Sequence, residues 1–169
     1  DIGSQICTTK KALCSGCPNQ SYCKVNESGK QLQYPESISK RTIPIKKMVA
    51  AFITLNGNFI INQRPESGML GGLWEFPTFE YDNAIADSEV MMIFNKNIGN
   101  DINIEFKIGS VKHSYSHFKT EVDLYLCSKK YKNIILKNAK WINPNEFEQH
   151  TFSKVHHKLF HIIKKNKNG

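Results

Sequence analysis

The stretch INQRPESGMLGGLWEFP, residues 61–77, places a turn-rich loop between two short apolar segments. Its end, GLWEFP, is typical of a short buried strand that stops at Pro77, because proline cannot continue a hydrogen-bonded strand. The pair Gly71–Gly72 predicts a tight turn before that strand. The two aromatic side chains of GLWEFP are expected in the core, where large aromatic residues dominate. The stretch therefore predicts a strand, a turn and a second strand.

The residues just before this stretch predict a β-hairpin. The segments MVAAFITL, residues 48–55, and NFIINQRP, residues 58–65, are both apolar and are separated only by Asn56 and Gly57. Asn-Gly is the preferred pair for a two-residue hairpin turn, because both positions need a positive φ. The chain up to Pro77 therefore reads as three strands of one sheet.

Beyond this region the pattern predicts two helices and further strands. Residues 83–98 carry apolar side chains at three- and four-residue spacing and end before Gly99, which favours a helix. The other predicted elements are strands at residues 102–113, 118–128 and 137–142, a helical turn at Asn143–Pro144 and a final helix from Ser153 to about Lys165. Strands interrupted by one helix and closed by another indicate an α+β domain with a mixed sheet flanked by helices.

The composition favours a polyanionic partner. The chain has 169 residues, enough for one domain with an appendage, and carries 23 Lys and Arg against 15 Asp and Glu, a net charge of +8. Nucleic acid is the commonest partner of such a protein, although a solvated lysine-rich surface has the same composition. The sequence has neither an apolar run long enough for a membrane span nor a secretory signal. The first residue is Asp, and we expect the chain to be a fragment of a longer protein.

Four of the five cysteines fall within the first 23 residues. Their spacing is C-x6-C-x2-C-x5-C, at Cys7, Cys14, Cys17 and Cys23, whereas Cys127 lies in a predicted strand and is expected to be a buried small side chain. Disulfides would require an oxidising compartment. Zinc sites usually offer two C-x2-C pairs, and only one is present. Four thiolates in a compact loop also suit a [4Fe-4S] cluster. The residues alone leave all three alternatives open.

The cysteine spacing resembles the cluster loop that ends the catalytic domain of endonuclease III-type DNA glycosylases. DIGSQIC looks like the end of that domain's last helix, and CSGCPNQSYC like its Cys-x-x-Cys-Pro core. The resemblance implies a structural [4Fe-4S] cluster, which an isolated fragment can lose or replace with zinc. It also implies that the loop between the first two cysteines, where Lys10 and Lys11 stand, faces DNA phosphate; a solvated lysine pair is the alternative.

Residues 61–77 resemble the strand–loop–strand that enters a Nudix hydrolase fold. Nudix enzymes bind Mg²⁺ through an R-E-x-x-E-E pattern on one helix, because hard cations require several oxygen ligands. Counted back from Gly99, these positions fall on residues 92–97, MIFNKN, and none is acidic. The nearby acidic residues are off the required spacing; they are Asp82, Asp87 and Glu89. We therefore interpret the helix as a scaffold and disfavour the alternative function, a free Nudix-type nucleoside-diphosphate-linked pyrophosphohydrolase.

Together, the two resemblances identify a member of the MutY-type adenine DNA glycosylases. This family resemblance divides the chain into an iron-sulfur loop at 1–23, the tail of a truncated catalytic domain; an extended linker at 24–46; and a Nudix-like domain at 47–169. HSYSHF, residues 113–118, looks like the family's H-x-F-S-H loop, and residues 139–160 resemble its C-terminal pattern. The resemblance implies base-excision repair, in which the full protein removes adenine mispaired with 8-oxoguanine and this chain recognises the lesion.

The family's catalytic Glu and Asp lie upstream of the cysteines, so the resemblance implies no catalytic residue in this chain and no activity of the chain alone. Its expected partner is double-stranded DNA with 8-oxoguanine opposite adenine. We further expect a monomer in the bacterial cytoplasm, associated with the nucleoid and not with a membrane. In the linker, Lys40 and Arg41 are expected to contact phosphate.

The residues predicted to recognise the lesion are Tyr115, Ser116 and His117. Oxidation of guanine at C8 turns the N7 acceptor into an N–H donor, which a serine hydroxyl can accept. Tyr115 stands where the family usually has Phe, and its hydroxyl would need a partner if the ring were inserted into DNA. The alternative is a plain turn between two strands.

The final helix of the sequence is basic. Its basic residues are His156, His157, His161, Lys158, Lys164 and Lys165, and this pattern favours a solvated face over a phosphate contact.

Overall fold

The structure, a computed structural model, describes residues 1–8, 10–34, 43–82 and 85–167. The chain forms two compact units, Asp1–Thr42 and Ile43–Gly169. Among the described residues, no helix combines the length and the apolar character that crossing a bilayer requires.

The smaller unit consists of short helical turns around the cysteines. Helix α1, Ile2–Gln5, starts at Asp1, whose carboxylate accepts a hydrogen bond from the Gly3 N–H over 3.1 Å. Helix α2 spans Lys24–Glu27. Turns of 3₁₀ helix cover Cys14–Gly16, Gln20–Tyr22 and Gln31–Gln33. No described residue of this unit is buried, so its described part has no apolar core of its own. A unit of this size without a core needs another source of stability.

The larger unit is built on one mixed sheet. Its strands are β1 Ile45–Leu55, β2 Asn58–Gln63, β3 Trp74–Glu75, β4 Thr78–Tyr81, β5 Ile102–Ser114, β6 Lys119–Lys129 and β7 Ala139–Ile142. The main path runs β3-β2-β1-β6-β5, with β4 paired to β1 and β7 paired to β2. The β1–β6 pair is parallel, whereas the β1–β2 and β5–β6 hairpins are antiparallel. The predicted fold class, an α+β domain with a mixed sheet, is therefore confirmed.

Helices cover both faces of this sheet. Helix α3, Asp87–Ile98, buries Val90, Phe94 and Ile98 against one face. Helix α4, Lys154–Lys167, and a 3₁₀ turn at Pro144–Gln149 close the other. There α4 buries apolar side chains at helical spacing, namely Val155, Leu159, Phe160 and Ile163. Burial of such side chains stabilises the fold by about 1.5–3 kcal/mol each.

The two turns that the sequence singled out have the expected backbone. Asn56 and Gly57 have φ of 49° and 79°, as a two-residue hairpin turn requires. Gly72 has φ of 73°, a left-handed conformation that glycine adopts without strain. A Cβ atom at Gly71 would lie 2.2 Å from the carbonyl oxygen of Glu66, so only glycine fits there. The hairpin and the tight turn before β3 are both confirmed.

Several sequence predictions need correction. Strand β4 was not predicted, because it follows Pro77 directly and contains only four residues. Helix α3 begins at Asp87 rather than at residue 83, and residues 83 and 84 are outside the described part. His156, assigned to the exposed basic helix, is only 6% exposed and faces the core. Cys127 is fully buried, as predicted.

Candidate nucleic-acid interface

The turn between β5 and β6 presents two exposed residues at the end of a long hairpin. The strands pair up to Ser114 and Lys119, and the Tyr115 N–H donates to the Phe118 carbonyl over 2.8 Å. Ser116 and His117 lie between these closing bonds, and both are exposed. The turn therefore holds a hydroxyl, an imidazole and free backbone groups on a fixed base, where a nucleic acid can reach them.

Tyr115 is part of that base. Its ring packs edge-on against His113, with the ring centroids 4.7 Å apart. It also packs, in a tilted arrangement, against Phe118, with the ring centroids 4.8 Å apart. Burial raises the pKa of the Tyr115 hydroxyl, although a hydrogen bond with Ser153 acts in the opposite direction. Ser153 lines the same small cleft as Tyr115, so a polar side chain lies near this ring within the domain. In this conformation Tyr115 supports the turn, and only Ser116 and His117 project from it.

A buried charged cluster that the sequence did not predict lies beneath this turn. Glu75 is 7% exposed and accepts hydrogen bonds from Arg64 over 2.7 Å and from Asn62 over 3.3 Å. His156 Nε2 lies 3.7 Å from the same carboxylate. Burial by itself raises the pKa of Glu75, but His156 and Arg64 outweigh it and leave the pKa below its usual value. The one available signal was a charged residue inside the apolar segment GLWEFP.

The cluster fixes the tautomer of His156. The Phe76 N–H donates to His156 Nδ1 over 3.3 Å, so the neutral ring carries its proton on Nε2, which faces Glu75. A cleft of about 250 Å³ opens next to it, and its lining includes Arg64, Tyr115, Phe118 and Thr120. The cluster and the turn thus share one wall of the domain.

Helix α3 carries no set of metal-binding carboxylates. Its two acidic residues are both engaged near its start: Glu89 accepts a hydrogen bond from the Ala86 N–H over 2.8 Å, and Asp87 accepts one from the Tyr125 hydroxyl over 3.3 Å. Within the described ranges, no three His, Cys, Asp or Glu side chains are grouped to hold a metal ion. The helix serves as a scaffold that buries Phe94 and its neighbours.

All four N-terminal cysteines line one cavity of the smaller unit. They are free thiols, and the cavity measures about 310 Å³. Its other walls come from apolar, aromatic and amide side chains, and no carboxylate or imidazole lines it. Four soft sulfur donors suit iron or zinc rather than Mg²⁺ or Ca²⁺. Among the described residues, no three of these thiols are grouped closely enough to hold one metal ion.

The predicted phosphate contacts are described only in part. Lys10 and Lys11 are exposed, next to a small turn in which the Thr8 hydroxyl donates to the Lys11 carbonyl over 2.8 Å. The isolated bridge between Cys7 and Ala12 closes this turn, so the two lysines lie between the first two cysteines. Lys40 and Arg41 lie outside the described residues.

Comparison with known proteins agrees with this architecture. The chain is 22% identical to the adenine DNA glycosylase of Homo sapiens over 221 residues, covering 100% of this chain and 40% of that protein. It is 27% identical to the adenine DNA glycosylase of Buchnera aphidicola over 169 residues, covering 98% of this chain and 47% of that protein. The resemblance to adenine DNA glycosylases is confirmed, and the chain spans less than half the length of both relatives.

Solved structures share the fold of the larger unit. The C-terminal domain of mouse MUTYH, in a complex with human PCNA, matches with a TM-score of 0.58 at 19% identity, covering 73% of this chain and 90% of that one. A MutT protein from Methanosarcina mazei matches with a TM-score of 0.65 at 17% identity, covering 76% of this chain and 99% of that one. Residues 48–161 match the NUDIX domain family. Because that match covers more than half of the sequence, the chain belongs to the NUDIX domain family.

Proposed function

We propose that this chain is the lesion-recognition part of an adenine DNA glycosylase, a base-excision repair enzyme that removes adenine mispaired with 8-oxoguanine. The observation that carries the proposal is the exposed pair Ser116–His117, held by a packed Tyr115 on a NUDIX domain whose α3 has no set of metal-binding carboxylates. Similarity to adenine DNA glycosylases over essentially the whole chain supports it.

Discrimination follows from hydrogen-bond polarity. Guanine presents an acceptor at N7, whereas 8-oxoguanine presents an N–H donor there and a carbonyl at C8. The Ser116 hydroxyl accepts from that N–H, and a backbone N–H of the turn donates to the new carbonyl. His117 contacts phosphate or braces the turn. One such hydrogen bond contributes about 1–3 kcal/mol, which is roughly a five- to hundred-fold preference for the lesion.

The support given by Tyr115 makes this reader rigid. Its ring is held by His113 and Phe118, so the turn loses little freedom when it binds. A deep wedge into the base stack would require the ring to leave these neighbours. We therefore propose that Tyr115 orients Ser116 and borders the base without entering the stack.

We propose that Cys7, Cys14, Cys17 and Cys23 hold a [4Fe-4S] cluster with a structural role. The shared cavity and its all-sulfur donor set support this assignment, as does the lack of buried residues in the described part of the unit. The cluster would cross-link the chain and so provide the stability that an apolar core provides in other domains. The turn carrying Lys10 and Lys11 is then fixed at the first cysteine and contacts DNA phosphate, together with Lys40 and Arg41.

In this proposal residues 1–23 are the end of a catalytic domain, 24–46 a linker and 47–169 the reading domain. The chain recognises the mispair but does not itself release adenine. Hydrolysis of free nucleotides is disfavoured, since the described part of α3 lacks the oxygen ligands that a Mg²⁺ site requires. A cytoplasmic, nucleoid-associated location fits the proposed substrate.

The proposal is tested by the binding preference of the chain. Fluorescence anisotropy compares labelled duplexes that are identical except for 8-oxoguanine or guanine opposite adenine. We expect the chain to bind the duplex with 8-oxoguanine most tightly. Its affinity for the guanine duplex and for a fully matched duplex should be lower and equal. Equal affinity for all three duplexes would show that the domain binds DNA without reading the lesion.

A further inference from the structure

The outward face of α4 is basic from residue 154 to residue 165. The exposed side chains of this stretch are Lys154, His157, Lys158, His161, Lys164 and Lys165, and no acidic residue occurs anywhere on the helix. Positions 154, 158, 161 and 165 follow one another at intervals of three or four residues, so they form one row along the helix. At 1.5 Å per residue the row is about 16 Å long.

These charges are not neutralised within the described part of the domain. Apart from the buried His156, no α4 side chain forms an ion pair there, and Lys164 instead lies over the Phe160 ring at 4.7 Å. Three lysines of the sheet differ, because each is matched with a carboxylate of a neighbouring strand. These pairs are Lys46–Glu80, Lys107–Asp123 and Lys112–Glu121, each at 2.8 Å.

The basic row is also unfavourable for the helix itself. Lys154 and Lys158 are like charges four residues apart, which repel each other on a helix surface. Lys154 is the first residue of α4 and lies at the positive end of the helix dipole, where an acidic residue would be stabilising. A helix that needed only solubility would gain from mixed charges, so this arrangement indicates a ligand of opposite charge.

The row starts beside the turn that we propose to read the lesion. Ser153, just before α4, lines the same small cleft as Tyr115. Lys154 and Lys158 lie close enough to His113 for their charges to act on its ring. Farther along, Ile162 would lie 3.5 Å from a Cβ at Gly109, so α4 runs back along β5 from the tip of the hairpin. Turn and helix therefore form one continuous surface.

We propose that the outward face of α4 binds the phosphate backbone of the duplex that the 115–117 turn reads. This inference rests on the proposed function and extends it to the path of the DNA. One strand of B-DNA carries a phosphate for every 3.4 Å along the axis, so a row of about 16 Å faces roughly five phosphates. The interaction is independent of sequence and sets affinity and orientation, while Ser116 supplies the preference.

The test measures how salt affects binding of the 169-residue chain to a short undamaged duplex. The variants are Lys154→Ala with Lys158→Ala, and Lys164→Ala with Lys165→Ala. The control, Lys132→Ala with Lys137→Ala, removes the same charge from exposed positions next to Ile134 and Leu136, which pack on the α3 side of the sheet. Lys154→Arg with Lys158→Arg keeps the charge.

Each α4 pair should lower the slope of log affinity against log salt by about one for every phosphate that the variant no longer neutralises. The ratio of the affinity at about 50 mM salt to the affinity at about 200 mM salt should then be about tenfold smaller for each paired variant than for the parent chain. The control and the Arg variant should keep the parent slope. The melting temperature should not fall for Lys154→Ala with Lys158→Ala, because repulsion at the start of α4 is removed. If the α4 variants match the control, the face is solvated and the inference is wrong.

The preference for 8-oxoguanine over guanine separates this inference from the proposed function. The α4 variants should weaken binding to both duplexes equally and leave that ratio unchanged. A normal ratio with an unchanged salt slope rejects the α4 face alone. A reduced slope without any lesion preference in the parent chain supports the α4 face and rejects the reading turn.

Discussion

Arg64 donates a hydrogen bond from Nη1 to Oε2 of Glu75 over 2.7 Å, inside a wall of the domain that also contains His156. Glu75 is nearly buried, whereas the Arg64 side chain is about one third exposed. The Glu75 carboxylate thus pairs with Arg64, which reaches the surface cleft, and faces His156, which is buried. This cluster joins the end of β2, β3 and α4.

Glu75→Gln should destabilise the domain at neutral pH by about 1–3 kcal/mol, because Arg64 loses its counter-charge and His156 loses the carboxylate that its Nε2 faces. The folded-state pKa of Glu75 lies below its usual 4.5. Its stabilisation is therefore present above that value and is lost as the pH falls through the folded-state pKa. Urea unfolding at a series of pH values should show the parent and the variant converging in acid.

Glu80→Gln is the matched control for this prediction. Glu80 pairs with Lys46 at 2.8 Å, but both side chains are more than 40% exposed. An exposed pair contributes little, so the change should stay within about 0.5 kcal/mol at all pH values. A destabilisation at Glu75 no larger than the one at Glu80 would mean that the buried cluster does not stabilise the fold.

Tyr115 and Ser153 line one small cleft, and we predict that the Tyr115 hydroxyl forms a hydrogen bond with Ser153, which a double-mutant cycle measures. Tyr115→Phe keeps the ring packing and removes the hydroxyl, and Ser153→Ala removes its partner. Each change should cost about 0.5–1.5 kcal/mol, and the double variant should cost less than their sum, since both changes remove the same hydrogen bond. Additive costs in thermal or urea unfolding would show that the hydroxyl is free to leave the domain.

The cysteine cavity predicts a definite metal content. The chain, expressed with iron and kept free of oxygen, should be brown. It should contain about four iron and about four sulfide ions per chain, which is the stoichiometry of a [4Fe-4S] cluster. Cys14→Ser or Cys17→Ser should lower iron content and visible absorbance, whereas Cys127→Ser should not, because Cys127 is buried in β6. One zinc per chain, with no sulfide, in the full-length parent protein would contradict the cluster assignment.

The lack of a carboxylate set on the described residues of α3 predicts no nucleotide hydrolysis. Incubation with Mg²⁺ and 8-oxo-dGTP should release no pyrophosphate above a sample without protein, because no described group of side chains can hold the cation. Activity that depends on Mg²⁺ and disappears in a point variant of this chain would reverse the assignment and favour a pyrophosphohydrolase.

Local signals predicted the parts of the fold that depend on neighbouring residues. Asn56–Gly57 predicted the β1–β2 hairpin because the turn requires positive φ at both positions. The three- and four-residue spacing of apolar side chains in residues 83–98, among them Ile85, Val90, Ile93 and Phe94, predicted α3. Strand β4 was missed, since four residues are too few for an alternation signal and its partner strand lies nearly thirty residues upstream.

The candidate site was predictable only where a motif was continuous. The HSYSHF segment located the turn, but nothing local linked Glu75 to His156, which the fold brings together from distant parts of the chain. His156 also looked like one more cation of α4. Its neighbour His157 is exposed, and only the helix phase set by the core distinguishes the two.

The central claim is that the Ser116 hydroxyl reads the oxidised base, and one comparison tests it most directly. Affinities of the parent chain, Ser116→Ala and Ser114→Ala are measured on duplexes with 8-oxoguanine or guanine opposite adenine. Ser114 is also exposed but belongs to β5, so it serves as the matched control. Tyr115→Ala, which removes the support of the turn, should reduce the preference further than Ser116→Ala, in protein shown to be folded.

Ser116→Ala should reduce the preference for 8-oxoguanine by roughly five- to hundred-fold, or to none if the parent's preference is smaller, and leave affinity for the guanine duplex unchanged. Ser114→Ala should keep the parent preference. If Ser116→Ala and Tyr115→Ala both keep it while folding normally, the turn at 115–117 is not the reader, and the account is contradicted.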